Sequence, residues 1–250
     1  MNLASNQNPA LWWPRAIFSL VDALGDAGVS VHLVSARTEV NWSSIGVDAL
    51  ITIERPGGHS VIPNSIPFGI PIFYGGDLTD DVPGVARIAP DYRAVATLGL
   101  DHLEDSGSRR PGLLSLAARV SFAEHLEQGY ESWCASRGIE PLIVGRNGGA
   151  PALLVEELLA KGCDGILSLS NASAEILAGL TSIAQVPQEC RLLVLSEGLV
   201  ERHLSPRVSV LSLDGASAGR RVAARVIEAL STGRAEPIEL SATLLIGETT

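Results

Sequence analysis

Asn171 is the residue in this 250-residue sequence whose type and place best suit contact with a small polar molecule. It stands in the stretch 163–177, where an apolar run, Ile166 to Leu169, gives way to small polar residues and then to a helical pattern. Such a run reads as a strand buried on both faces. Ligands of an open parallel sheet gather at the carboxyl ends of its strands, and a carboxamide placed there can both donate and accept hydrogen bonds. Asparagine also caps helices; the two roles are compatible, and the pattern leaves both open. Bond-breaking chemistry has no comparable candidate. There is no G-x-S-x-G, no Walker loop, no G-x-G-x-x-G and no H-E-x-x-H. The histidines His32, His59, His102, His125 and His203 lack metal-ligand spacing and read as surface or packing residues. Asp80-Asp81 and Glu156-Glu157 read as solvated surface, and Gly57-Gly58 and Gly148-Gly149 as turns. No catalytic residue, metal or cofactor is expected.

The elements that must position Asn171 follow from periodicity and punctuation. Helices are predicted over 14–27, 91–106, 121–137, 151–161 and 214–230, with another following Asn171. Pro14 suits a first turn, and Gly28, Gly107, Gly138 and Gly162 stand where helices stop. Asp91 and Asp214 are predicted caps, and Ser121-Phe122-Ala123-Glu124 has capping-box spacing. Strands are predicted over 29–34, 47–53, 70–74, 113–116, 142–144, 166–169, 192–195, 208–211 and 243–246, with irregular chain at 37–46 and 75–90. This alternation specifies α/β architecture, parallel sheets with helices on both faces.

Composition narrows the class. A hydrophobic fraction of 46% against 18% charged residues indicates a large buried core, enough for one large domain or two small lobes. The net charge of −10 argues against this chain gripping nucleic acid or an anionic membrane by itself. Cys134, Cys163 and Cys190 are odd in number, without C-x-x-C spacing, as expected of inert thiols in a reducing cytoplasm. No apolar run is long enough to span a bilayer, and Met1 to Pro9 lacks the basic and apolar regions of a signal peptide.

Several segments, in order, resemble the effector-binding core of the lactose/galactose-repressor (LacI/GalR) family of bacterial transcription regulators. Val47-Asp48-Ala49-Leu50-Ile51 resembles that family's V-D-G-I-I strand, and Ile70-Pro71-Ile72-Phe73 its I-P-V-V. Asp91 through His102-Leu103 to Gly107 resembles D…A…HL…G, and Gln128-Gly129-Tyr130 the end of R-x-x-G-Y. Ser170-Asn171-Ala172 stands where the family writes N-D, and Leu195-Ser196-Glu197-Gly198 at G-[YF]-D-D. Asp214 to Gly219 matches a helix opening, and Leu240 to Thr250 the family's ending. Each motif is weak; their order covers nearly the whole chain.

The resemblance implies two doubly wound parallel-sheet lobes joined by three crossovers, a periplasmic-binding-protein-like fold of type I. The lobes would be 1–88 with 213–236 and 89–212 with 237–250. A small-molecule effector, a sugar or related polar metabolite, would sit between them, and hinge motion would carry the signal. Ser5 and Asp77 of one lobe would face Asn171 and Glu197 of the other. Trp12 and Trp13 would supply an aromatic wall, or else pack beneath the first helix. The family's effector-binding arginine falls on Leu126 here, which removes a bidentate cationic grip. Arg119 or Arg146 would take its place, or else be solvated surface. Ala172, Glu197-Gly198 and Gly247 also depart from the pattern, which implies a lost ligand or a changed one: neutral or cationic, partly apolar, or a weakly held sugar. Members open with a helix-turn-helix and then the first core strand. Neither is found here; Met1-Asn2-Leu3 is at most the stub of that strand, whose loss predicts poor stability. The expected role is the effector-binding and dimerisation core of a cytoplasmic homodimeric regulator that meets operator DNA only through a module outside this chain. A solute-binding protein of a transport system and, more remotely, an enzyme on a doubly wound scaffold are the alternatives.

Overall fold

The computed structural model describes residues 12–34, 46–53, 70–75, 84–117 and 120–250. In chain order the elements are α1 (Trp12–Asp26), β1 (Leu50–Ile53), β2 (Ile72–Gly75), β3 (Val85–Pro90), α2 (Tyr92–Asp105), β4 (Pro111–Leu114), α3 (Ser121–Arg137), β5 (Ile143–Val144), α4 (Pro151–Ala160), β6 (Gly165–Ser168), α5 (Ser173–Ile183), β7 (Arg191–Leu195), a 3-10 turn (Glu201–His203), β8 (Ser209–Ser212), α6 (Gly215–Thr232), β9 (Ile238–Leu240) and β10 (Thr243–Leu245). They form two compact units, Met1–Ala89 with Asp214–Leu240, and Pro90–Leu213 with Ser241–Thr250.

In the first unit the described strands run β1-β2-β3-β9, with β1, β2 and β3 parallel and Leu50 opposite Ile72. Helices α1 and α6 cross at backbone distance. A Cβ on Gly215 would lie 2.6 Å from the Trp12 carbonyl oxygen, and one on Gly219 only 2.2 Å from that of Ala16, so glycine alone permits this approach. Trp12 and Trp13 meet edge to face with centroids 4.3 Å apart.

The second unit carries the sheet β10-β8-β7-β6-β4-β5, parallel throughout except for β10, which pairs antiparallel with β8. Strands β4, β6, β7 and β8 are buried on both faces. Leu114, Ile166, Leu192, Val194 and Val210 pack with Val155 and Leu158 of α4 and with Ile176, Leu177 and Leu180 of α5. Leu167, Leu193 and Leu211 point the other way, toward Gly99 of α2, where an added Cβ would lie 2.6 Å from Leu211, 3.2 Å from Leu193 and in ordinary contact with Leu167. Period-2 alternation with both parities apolar produces the continuous hydrophobic runs seen in the sequence. The Tyr130 hydroxyl of α3 donates to the Pro111 carbonyl at 2.9 Å and accepts from the Leu142 amide at 2.8 Å, fixing α3 against β4 and the lead-in to β5.

The helix stops fall where glycine predicts them. At Gly28, Gly107, Gly138 and Gly162 the glycine amide bonds three residues back and the next amide five residues back, the Schellman closure. Asp91 caps α2 through the Arg93 and Ala94 amides, and Asp214 caps α6 through Ser217.

Other expectations are corrected. Val29 to Val34 pairs with no strand among the described residues, and Leu33 is 77% exposed; alternation alone does not supply a neighbouring backbone. Within the expected irregular stretch 75–90, residues 85–90 form β3, whose exposed Arg87 between buried Ala86 and Ile88 is a short period-2 signal. The capping-box reading at Ser121 fails, because the helix begins there and the cap position is Val120. The expected Asn171 cap is displaced by one residue: Ala172 holds the N-cap position of α5. The chain passes between the units after residues 89, 213 and 240, where 88, 212 and 236 were expected, and β9 joins the first unit's sheet. Residues 1–11, with the expected strand stub, lie outside the described residues.

Candidate functional site

Because β4, β6, β7 and β8 are parallel, their carboxyl ends share one edge of the second unit's sheet. That edge is a row of hydroxyls: Ser115 after β4, Ser168 and Ser170 at the end of β6, Ser196 after β7, and Ser212 closing β8. Ser115, Ser168 and Ser212 are buried, and Ser170 and Ser196 half-buried. The same hydroxyls fold the following loops. Ser168 Oγ accepts from the Ser170 amide at 3.1 Å, Ser170 Oγ from Ala172 at 3.3 Å, and Ser196 Oγ from Gly198 at 3.4 Å. The strand ends are pinned as well, since the Leu169 amide donates to the Leu114 carbonyl and the Ser196 amide to that of Leu211.

These turns place Asn171 and Glu197 in the loops after two neighbouring strands, β6 and β7. Asn171 is exposed and Glu197 half-buried. Together they offer an amide that donates and accepts beside a carboxylate that accepts.

The remaining expected site residues are distributed differently. Leu126 is 1% exposed and lies on the buried side of α3, with Tyr130 a turn further on. Arg146, in the turn after β5, gives its guanidinium to Glu127 at 2.7 Å and Glu131 at 3.0 Å, both on α3. The Glu127 hydrogen bond leads in raising the Arg146 pKa above its ordinary value, and Glu127 also accepts from the Ser115 hydroxyl. Trp12 is buried, and with Trp13 it lines a small apolar cavity of about 30 Å³ enclosed by Ile51, Ile88, Val222 and Leu240 in the first unit. Ser5, Asp77 and Arg119 lie outside the described residues.

Sequence reasoning missed an aromatic pair at the same edge. Tyr92 and Phe122, in the first turns of α2 and α3, approach with ring centroids 5.7 Å apart and planes tilted by 43°. Helix α3 follows the end of β4 and α2 runs back toward its start, so both helix beginnings gather at the carboxyl edge. The signal was there to read: an aromatic residue directly after Asp91, and another in the Ser121 turn.

The opposite edge is consumed by internal bonds. Asp164 accepts from the Ser108 hydroxyl at 2.6 Å and from the Arg109 and Arg110 amides at 2.8 Å. Burial pushes its carboxyl pKa up, but these donors and the charge of Arg191 hold it below its ordinary value. His102 Nε2 meets Thr250 Oγ1 at 2.8 Å, which in turn meets Ser209 Oγ at 2.7 Å. Burial lowers the pKa of that imidazole, against the charge of Asp105. Cys163 and Cys190 are buried there as free thiols. Among the described residues no group of three or more His, Cys, Asp or Glu side chains could hold a metal ion, and no helix is long and apolar enough to cross a membrane.

Two α/β units with mainly parallel sheets, and a polar row at the carboxyl ends of one of them, define a protein of the periplasmic-binding type I fold. Comparison with known proteins agrees. The periplasmic binding protein-like domain family matches residues 100–250, and the chain belongs to that family. No curated protein matches the chain. Among solved structures it resembles a transcription regulator from Staphylococcus saprophyticus, with 15% identity, a TM-score of 0.78, and 97% of this chain and 95% of that one covered. It also resembles a LacI family transcriptional regulator from Arthrobacter sp. FB24 in complex with lactose, with 18% identity, a TM-score of 0.76 and 97% of each chain covered. A third is a periplasmic binding protein/LacI transcriptional regulator from Alkaliphilus metalliredigens complexed with D-xylulofuranose, with 16% identity, a TM-score of 0.76, and 100% of this chain and 96% of that one covered. The fold is that of the effector-binding domains of LacI-family regulators.

Proposed function

We propose that this chain is the effector-binding and dimerisation core of a LacI/GalR-type transcriptional regulator, a cytoplasmic, non-catalytic sensor. Its effector is a small, neutral, polyhydroxylated molecule or an amine. The observation that carries the reading is the strand-end edge of the second unit: hydroxyls along neighbouring strands, Asn171 and Glu197 in adjacent loops, and the Tyr92–Phe122 pair beside them. Alternating hydroxyls suit an amide and a carboxylate, and an apolar ring face suits an aromatic surface. An anionic effector is disfavoured, since Glu197 is acidic and Arg146 is engaged by two carboxylates. The lactose and D-xylulofuranose of the two similar complexes belong to the favoured class. Operator DNA is met through a separate module, because the net charge of −10 opposes direct grip on a polyanion. Homodimerisation follows the regulator reading, in which two DNA-binding heads address two half-sites.

Titration calorimetry against lactose, D-xylulose, D-ribose, adenosine, putrescine and glucose 6-phosphate tests the proposal. Saturable binding of a neutral sugar, nucleoside or amine, with the sugar phosphate silent, is the expected outcome. Preference for the phosphate, or no binding anywhere in the panel, sinks it.

A further inference from the structure

We propose that Ser173 and Glu201 are positioning residues, whose buried hydrogen bond fixes the spacing of the two loops that carry Asn171 and Glu197; this rests on reading the strand-end edge as the effector site. Ser173 opens α5, and Glu201 opens the 3-10 turn after β7. Both side chains are buried, at 2% and 4% exposure, and Ser173 Oγ donates to Glu201 Oε1 at 2.7 Å.

The bond closes a ring. On one side β6 and β7 are laddered, with Ser168 opposite Val194. From there one loop runs through Asn171 to Ser173 and the other through Glu197 to Glu201. Beyond the strand ladder, the bond ties the two loops to each other at their far ends. With it, both are held at both ends, which removes loop freedom that a ligand would otherwise have to quench. Glu201 is itself fixed: its carbonyl accepts from Leu204 at 3.3 Å and from Val208, at the entry to β8, at 3.2 Å. Ser170 and Ser196 stiffen the two sides of the ring from within.

A buried carboxylate is an expensive way to join two loops, because apolar side chains of similar size would do so without the desolvation cost. What the hydroxyl–carboxylate bond adds is a fixed distance and direction. The amino end of α5, where Ser173 sits, also favours a carboxylate over an apolar group.

Hydrogen exchange of the whole chain tests this without any ligand. Ser173→Ala removes one oxygen and should speed amide exchange in residues 196–200, where nothing was changed, as well as in 169–172, by about tenfold. Exchange in α2 and α3 should stay put. Glu201→Gln keeps an acceptor for the serine and should leave both loops within about twofold of wild type, whereas Glu201→Leu should speed exchange in both. Acceleration confined to the neighbourhood of residue 173, or spread evenly through the second unit, would overturn the proposal. Titration of the tightest panel compound separates this inference from the functional reading. If nothing binds the wild type, the functional reading fails while exchange still decides the tie. If the wild type binds and Ser173→Ala binds equally well, the positioning role is refuted.

Discussion

At the edge where the second unit's strands begin, Asp164 accepts three hydrogen bonds, and His102, Ser209 and Thr250 form a closed chain. At the edge where they end, similar residue types stand on loops: Asn171 is exposed and Glu197 half-buried, beside a row of serines that turn their own loops. Both edges are polar, so polarity does not tell them apart. The difference is in what the polar groups are for. One edge shuts the α/β layers with carboxylate and hydroxyl bonds, and the other holds polar groups on short, braced loops. Substitutions at the first should therefore act on stability, and at the second on binding.

The largest effect is expected at Leu126. Motif alignment puts an arginine of the family at position 126, which would belong to the binding edge. Leu126 is 1% exposed inside the packing of α3. Leu126→Arg should therefore cost about 3 kcal/mol or more of folding stability by burying a charge without a partner. Urea unfolding checks this. A variant as stable as wild type, with new affinity for sugars, would move position 126 to the binding edge.

Asp164→Ala should come next, at about 2–3 kcal/mol for the loss of charge-assisted bonds to the 108–110 turn, with effector affinity unchanged. The same carboxylate sets a pH dependence. Its folded pKa lies below the ordinary value, so its contribution is complete above the usual aspartate pKa of about 3.9 and drains as pH falls through the lower folded value. Thermal melts between neutral pH and pH 3 should show a smaller acid loss in Asp164→Ala than in wild type. Equal losses would mean that the clamp does not titrate as described.

On the binding edge, Asn171→Ala should weaken the tightest panel ligand by about 1–3 kcal/mol by leaving a ligand hydroxyl unpaired. The melting point should stay close to that of wild type, since Ala172 holds the cap position of α5. A large loss of stability with unchanged affinity would make Asn171 a structural residue and erase the contrast between the edges.

What the sequence made legible follows the same division. The second unit's elements could be read because its central strands are apolar at both parities and α2, α3 and α4 end in glycines that close in one geometry. Strand β3 escaped because its alternation spans so few residues, and β9 because Ile238–Leu240 alternates over three. Val29 to Val34 shows the reverse failure, a good strand pattern with no described partner. For the candidate site, a strand running into a helix nominated Asn171, and a family motif nominated Glu197. The Ser173–Glu201 bond could not, because 28 residues separate its ends and neither residue belongs to a motif. Arg146 shows why charge in a loop is poor evidence of a ligand: only the fold reveals that α3 had already placed two carboxylates against it.

That arginine supplies the smallest expected effect. Its side chain is 51% exposed, and exposed ion pairs exchange water for a carboxylate at little net gain. Removing it leaves Glu127 the Ser115 hydroxyl as a donor, so no carboxylate is stranded in the core. Arg146→Ala should lower stability by less than about 1 kcal/mol, and the difference from wild type should shrink further in about 1 M salt, where the screening length falls to about 3 Å. Effector affinity should not move. A tenfold weakening of effector binding, measured by the same calorimetry, would show that the guanidinium leaves its carboxylates to reach the ligand. The turn after β5 would then join the binding edge, and the preference for neutral over anionic effectors would have to be reversed.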